Sequence, residues 1–236
     1  MINFTVLSSG LLMTFSILSS VALAQEVDTH STCNRTLRYE TLDEATKTLL
    51  NKGETVTVSD TNSDTVYHIN YILKLVDQDA ELVQAVFTSY GEQKDHLKSL
   101  KESTIEETKG NSTRIRYEAD TGHWYVPNSH YTVNDIVTKD GATYMLNWNL
   151  VHSEGLTKLT YIDGYMRTEN VGSHALMLYC NYVIPDIKMS PDQVNREGLA
   201  GLKSTVEQAV EWVAAVSADH GVANGYLEHY RQMLGQ

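Results

Sequence analysis

Apolar residues recur along this chain with two different periods, and the changes between them mark out its elements. Thr41-Leu42-Asp43-Glu44 reads as a capping box, with Thr41 as N-cap and Glu44 at the third helical position. It opens a short helix carrying Leu42, Ala45, Leu49 and Leu50 on one side, stopped by Gly53. Residues 54–58 read as a strand and 60–64 as a turn. From Thr65 the period is two: Tyr67, Ile69, Tyr71, Leu73 and Leu75 alternate with Val66, His68, Asn70, Ile72 and Lys74, the pattern of a half-buried strand. Helical spacing returns over 77–91, with acidic residues in the first turn and Leu82, Val83, Val86 and Phe87 as the apolar stripe. A second short helix is expected over 93–100.

The stretch that follows is all strand. Segments 104–108 and 113–119 flank the turn Lys109-Gly110-Asn111, and 130–138 and 142–152 flank Lys139-Asp140-Gly141. Segments 156–169 and 174–184 form the last pair. In 113–119 the alternation turns Ile115, Tyr117 and Ala119 inward and Arg114, Arg116 and Glu118 toward water. The last strand is apolar in both phases, as expected of a strand covered on both faces. Ser190-Pro191-Asp192-Gln193 then starts a helix, with Ser at the N-cap and Pro in the first turn. Its stripe is Val194, Leu199, Leu202, Val206, Val210 and Val213, while Gly198 and Gly201 weaken its first third or let it approach another backbone. A short final helix is expected over 226–234.

Composition narrows the classes. The 236 residues hold 18 Lys+Arg against 30 Asp+Glu, a formal charge of −12. Nucleic-acid binding needs clustered cations to neutralise phosphates, and docking on anionic lipid needs a basic patch, so both are disfavoured. Residues 1–24 carry no charged side chain and end in the small-residue box Ala22-Leu23-Ala24. They read as a removable export signal, although no Lys or Arg precedes the apolar stretch. The segment is too short and too rich in Ser to make a stable membrane anchor. Export bears on Cys33 and Cys180: in an oxidising compartment two cysteines most simply form one disulfide, while two unpaired buried thiols are the alternative that spacing leaves open. Asn34 and Asn111 head N-x-S/T sequons. The expected organisation is a signal at 1–24, an N-terminal extension with a short helix at 25–64, one domain at 65–218 and a helical tail at 219–236.

Strand, two short helices, six antiparallel strands and a long helix is an order that resembles the helix-grip superfamily, which includes START lipid-transfer domains and coenzyme Q-binding and polyketide-cyclase-like proteins. Asp79-Ala80-Glu81-Leu82-Val83-Gln84-Ala85-Val86-Phe87-Thr88-Ser89-Tyr90 is similar to the family's first helix. Asp163-Gly164-Tyr165-Met166-Arg167 and Tyr179-Cys180-Asn181-Tyr182-Val183-Ile184-Pro185 are similar to its last two strands, and Leu49-Leu50-Asn51-Lys52-Gly53-Glu54 resembles the lead-in of exported members. The resemblance implies an α+β helix-grip fold: a curved seven-stranded antiparallel sheet around the long C-terminal helix, with a cavity between them for a lipid, sterol, quinone or polyketide-like molecule. The glycine-rich loop of the pollen-allergen members is missing. In this strand order the last strand lies beside the first, so a Cys33–Cys180 bond is expected to pin the N-terminal segment against the outer face of the sheet.

Within that frame the candidate ligand-binding residues are Tyr67, Tyr71, Tyr117, Tyr144 and Trp148 on apolar strand faces, with Leu202 and Val206 from the helix. Tyr182 belongs with the aromatic set, but it shares a strand phase with Cys180 and leaves the cavity if that cysteine points outward. Tyrosine suits an amphipathic ligand because it puts a hydroxyl on a flat apolar body; cross-strand aromatic pairing would explain the same residues without a ligand. No metal and no cofactor are expected. His123 and His130 flank a loop, no H-E-x-x-H occurs, and no nucleophile elbow, P-loop or dinucleotide fingerprint is present. Asp163 is expected to pair with Arg167 or Arg116. The reading is an exported, non-catalytic carrier or sensor of a small hydrophobic ligand. Its rivals are a cyclase- or hydrolase-type enzyme built on Asp163 with His68 or His152, and an interaction module whose cavity is filled by its own side chains.

Overall fold

The computed structural model describes residues 32–61, 65–120, 122, 127–186 and 188–236. The signal expected at 1–24 and His123 lie outside them. The N-terminal segment leads through a 3-10 turn, Tyr39–Thr41, into helix α1, Glu44–Asn51. Asp43, not Thr41, caps that helix: its carboxylate accepts from the Thr46 N–H at 2.8 Å, and Thr41 turns its hydroxyl back to the Arg38 carbonyl. Leu42 is extended, so the helix starts two residues later than the Thr41 box implies.

The strands are β1 Val56–Asp60, β2 Ile69–Val76, β3 Leu100–Lys109, β4 Ser112–Ala119, β5 Ser129–Asp140, β6 Thr143–Glu154, β7 Leu159–Val171 and β8 His174–Pro185. They form one curved antiparallel sheet in the order β1-β2-β8-β7-β6-β5-β4-β3. The sheet has eight strands where seven were expected, because the segment before residue 65 adds β1 to the edge of β2. The tips of the β3–β4 and β5–β6 hairpins fall at Gly110 and Gly141, both with φ +58°, a conformation that costs glycine nothing.

Helix α2, Ala80–Phe87, and the single turn α3, Gln93–His96, follow β2. The long helix α4, Pro191–Ser217, begins as its sequence requires, with the Ser190 hydroxyl accepting from the Gln193 N–H. Helix α5, His220–Met233, closes the chain against α2, where Arg231 makes a two-pronged pair with Glu81 at 2.7–2.9 Å. No helix among the described residues is long and apolar enough to cross a membrane.

Strand alternation splits the interior into two cores. The inner face of the sheet packs Ile72, Leu146, Met166 and Met177 against α2, α4 and α5. The outer face packs Tyr71, Leu73, Tyr165 and Leu178 under the N-terminal segment. Both phases of β8 are therefore covered, which is why it reads as a continuous apolar run. The outer cover is bonded in place. Cys33 and Cys180 form a disulfide with Cα atoms 6.0 Å apart, Tyr165 donates its hydroxyl to the Arg35 carbonyl, and Tyr39 N–H donates to Glu169 at 3.1 Å. Beneath the cover Arg167 pairs with Glu169 and donates to the Leu37 carbonyl.

A candidate ligand-binding cavity

Beneath α4 the inner face is not filled. An outer lobe of about 360 Å³ opens between the first third of α4 and the β2–β8 side of the sheet. An inner lobe of about 270 Å³ lies among β4, β5, β6 and β8, bounded by Phe87 and Leu97. The lobes adjoin, sharing Ser99, Ser129, Tyr179, Asn181, Val183 and Thr205 as walls. Gly198 and Gly201 face the outer lobe, and a Cβ added at either would meet no atom within 4 Å. They make no close backbone contact; they thin the helix where the hollow lies.

The inner lobe has an aromatic lining held by specific contacts. Trp148 and Tyr179 lie with ring centres 5.4 Å apart, and Phe87 meets Tyr179 edge-on at 5.9 Å. The Trp148 Nε1–H donates to Asn181 Oδ1 at 3.0 Å, fixing the indole against the wall. Tyr117 donates to Gln93 Oε1 at 2.7 Å, and the Gln93 amide donates onward to the Phe87 carbonyl at 2.8 Å. These polar groups are spent on each other.

Of the residues singled out from the sequence, Tyr117 and Trp148 line the inner lobe, and Tyr67 and Leu202 line the outer one. Val206 is fully buried in the inner core one turn after Leu202, outside both lobes. Tyr144 is on the inner face but away from the hollow, its ring 6.1 Å from that of Tyr230. Tyr71 does not reach the cavity. It stands opposite Cys180 across the β2–β8 ladder, on the outer face, and its hydroxyl accepts from the Arg35 N–H at 3.4 Å. Tyr182 shares that face and touches the cavity only at the rim, where its hydroxyl accepts from the Tyr67 N–H. One orientation, that of Cys180, fixes the parity of both Tyr71 and Tyr182.

The carboxylate expectations change as well. Asp163 lies under the N-terminal segment and accepts from the Cys33 N–H at 2.9 Å. Arg167 pairs with Glu169, and Arg116 is exposed on β4, three strands from β7, so neither of the expected Asp163 pairs forms. His152 is exposed beside Glu154, and His68 sits at the cavity rim with its N–H on Asn195 Oδ1. No cluster of Asp163 with His68 or His152 is assembled.

The carboxyl that lines the inner lobe is Asp135, on β5, whereas Asp120 and Glu197 border the outer one. Asp135 is 4% exposed, and its Oδ1 has no hydrogen-bond partner among the described residues. Burial pushes its carboxyl well above the usual range, and the neighbouring Tyr90 hydroxyl, itself buried and unpartnered in the geometry, acts the other way. Burial and the adjacent Asp135 likewise raise the Tyr131 and Tyr179 phenols. Among its described lining residues the inner lobe thus holds one carboxyl, raised by burial, and no cation. Asp135 was legible in the sequence: it falls in the same phase as Tyr131, Val133 and Val137, a carboxylate on the apolar side of an alternating strand.

No protein-family model matches the sequence, and no curated protein matches it. Solved structures match the fold. A STAR-related lipid transfer protein from Xanthomonas axonopodis superposes with a TM-score of 0.61 at 10% identity, over 67% of this chain and 92% of that one. Human StAR-related lipid transfer protein 5 gives 0.58 at 9% identity, over 72% and 93%. A START superfamily protein from Mycobacterium smegmatis gives 0.51 at 11%, over 67% and 97%. Sheet order, helix placement and these superpositions agree that the chain has the START-like helix-grip fold.

Proposed function

We propose that this protein is an exported, non-catalytic carrier or sensor that holds one hydrophobic molecule, of lipid, sterol, quinone or polyketide-like type, between the sheet and α4. The observation that carries the reading is the two-lobed hollow: a sheet and helix whose facing side chains leave about 360 and 270 Å³ unfilled in adjoining lobes, together within the range used for small ligands. Trp148, Tyr117 and Tyr179 supply broad apolar surface, which suits a ring-bearing or amphipathic molecule. The disulfide fits an oxidising compartment. The START-fold proteins named for lipid transfer support the class of ligand by analogy of fold.

The test is native mass spectrometry and organic extraction of protein purified from its own host, beside a Thr205→Trp variant that fills the wall common to both lobes. A molecule that co-purifies with the wild type and is absent from the variant is expected. Wild-type protein that retains nothing, and that binds no sterol, fatty acid or quinone added to it, overturns the reading.

A further inference from the structure

The inner lobe contains one carboxyl and no cation: Asp135 is the only Asp, Glu, Lys, Arg or His among its described lining residues. The titratable groups that face it are all phenols, Tyr90 after α2, Tyr117 on β4, Tyr131 on β5 and Tyr179 on β8. The Tyr117 hydroxyl and the Gln93 amide are already committed to each other. A carboxyl in such surroundings keeps its proton, and a protonated carboxyl is a hydrogen-bond donor. Asp135 Oδ1 is buried without a partner, in a strand whose neighbours Val133 and Val137 are apolar. An unsatisfied polar group in this position is costly unless something completes it.

We infer that Asp135 donates a hydrogen bond to a neutral carbonyl oxygen of the bound molecule, so that the cavity selects apolar carbonyl compounds inserted carbonyl first. The inference rests on the ligand-binding reading of the cavity. A carbonyl oxygen accepts the Asp135 proton and brings no charge. A carboxylate ligand would bury an anion with no cation to meet it, and an ammonium group would have to carry its charge through the aromatic lining and ionise Asp135. Tyr131 and Tyr179, both held protonated, keep the same corner a donor environment.

The experiment titrates the disulfide-bonded protein by calorimetry with four probes of one shape: 2-ethylnaphthalene, 2-acetylnaphthalene, 2-naphthoate and 2-(aminomethyl)naphthalene. The ketone is expected to bind about tenfold tighter than the hydrocarbon, the worth of one good hydrogen bond, and its carbonyl stretch is expected to fall in frequency on binding. Both effects vanish in Asp135→Leu and persist in Asp135→Asn, whose amide still donates. In the wild type, but not in Asp135→Asn, the ketone preference fades as pH rises and Asp135 ionises. Should the Leu variant fail to fold, the infrared shift in the wild type and the pH comparison with Asn decide. A hydrocarbon that binds as well as the ketone, or tightest binding of the acid or the amine, overturns the donor role and leaves the cavity reading standing. Failure of all four probes to bind overturns both.

Discussion

Trp148 and Gly164 face each other across the β6–β7 ladder, and a Cβ at position 164 would stand 2.5 Å from the indole Cε2 and Nε1. The glycine vacates the space in which the ring lies, and that ring is a wall of the inner lobe. Gly164→Ala must displace an indole that is hydrogen-bonded to Asn181 and packed on Tyr179. The expected cost is about 1–3 kcal/mol, the range for overpacking a filled site. It is measured as a lowered denaturation midpoint with a shifted tryptophan emission. An unchanged midpoint and spectrum would show that the ring has room to move.

The disulfide ties Cys33 to Cys180 across 147 residues of chain. In the chain-entropy picture, closing a loop of that length stabilises by about 5 kcal/mol, an upper figure because a compact unfolded state already forgoes part of that freedom. Reduction, or paired Cys33→Ser and Cys180→Ser, should lower the urea midpoint by several tenths of the whole stability. A thiol assay on unreduced, denatured protein should find no free thiol.

Arg167 and Glu169 are buried together under the N-terminal segment, and each also bonds its backbone. Glu169→Ala leaves a guanidinium buried without its counter-ion and is expected to cost about 3–5 kcal/mol. The exposed Arg231–Glu81 pair is the control, since Arg231→Ala removes a surface pair worth about 1 kcal/mol or less. Equal losses in the two variants would mean that the outer face admits water.

Asp135 sets a pH dependence of known sign. Its carboxyl is raised in the folded state, so the native protein binds more protons than the unfolded chain over the interval between the two values. Its contribution is fully present below about pH 4, the unfolded value, and is lost as pH climbs through the raised native value. Asp135→Asn should flatten that part of the stability profile, and Asp135→Leu should be neutral or stabilising in the absence of ligand, because it removes an unsatisfied group. Thermal melts from pH 4 to 9 check both; a wild-type curve that rises in parallel with the Asn curve would mean that the carboxyl is ionised throughout.

The alternation of Tyr67 through Leu75, the turns at Gly110 and Gly141, and the Ser190-Pro191 start of α4 were set by local chemistry, and local chemistry is written in order along the chain. Two periods, their lengths and their stops suffice to lay out strands around one long helix. The two-phase hydrophobicity of β8 even announced that both faces of the sheet are covered. What no single stretch contains is which face of a strand turns which way. Tyr71 and Tyr117 look alike in sequence, yet one lies beneath the N-terminal cover and the other in the cavity, because Cys180 faces outward and every residue in phase with it must follow. The hollow itself is of the same kind. It exists because Gly198 and Gly201 face it and Gly164 lets Trp148 fold back as a wall. Unfilled volume is a property of how side chains from distant strands meet, so only their arrangement in space could decide that this interior has room for a guest.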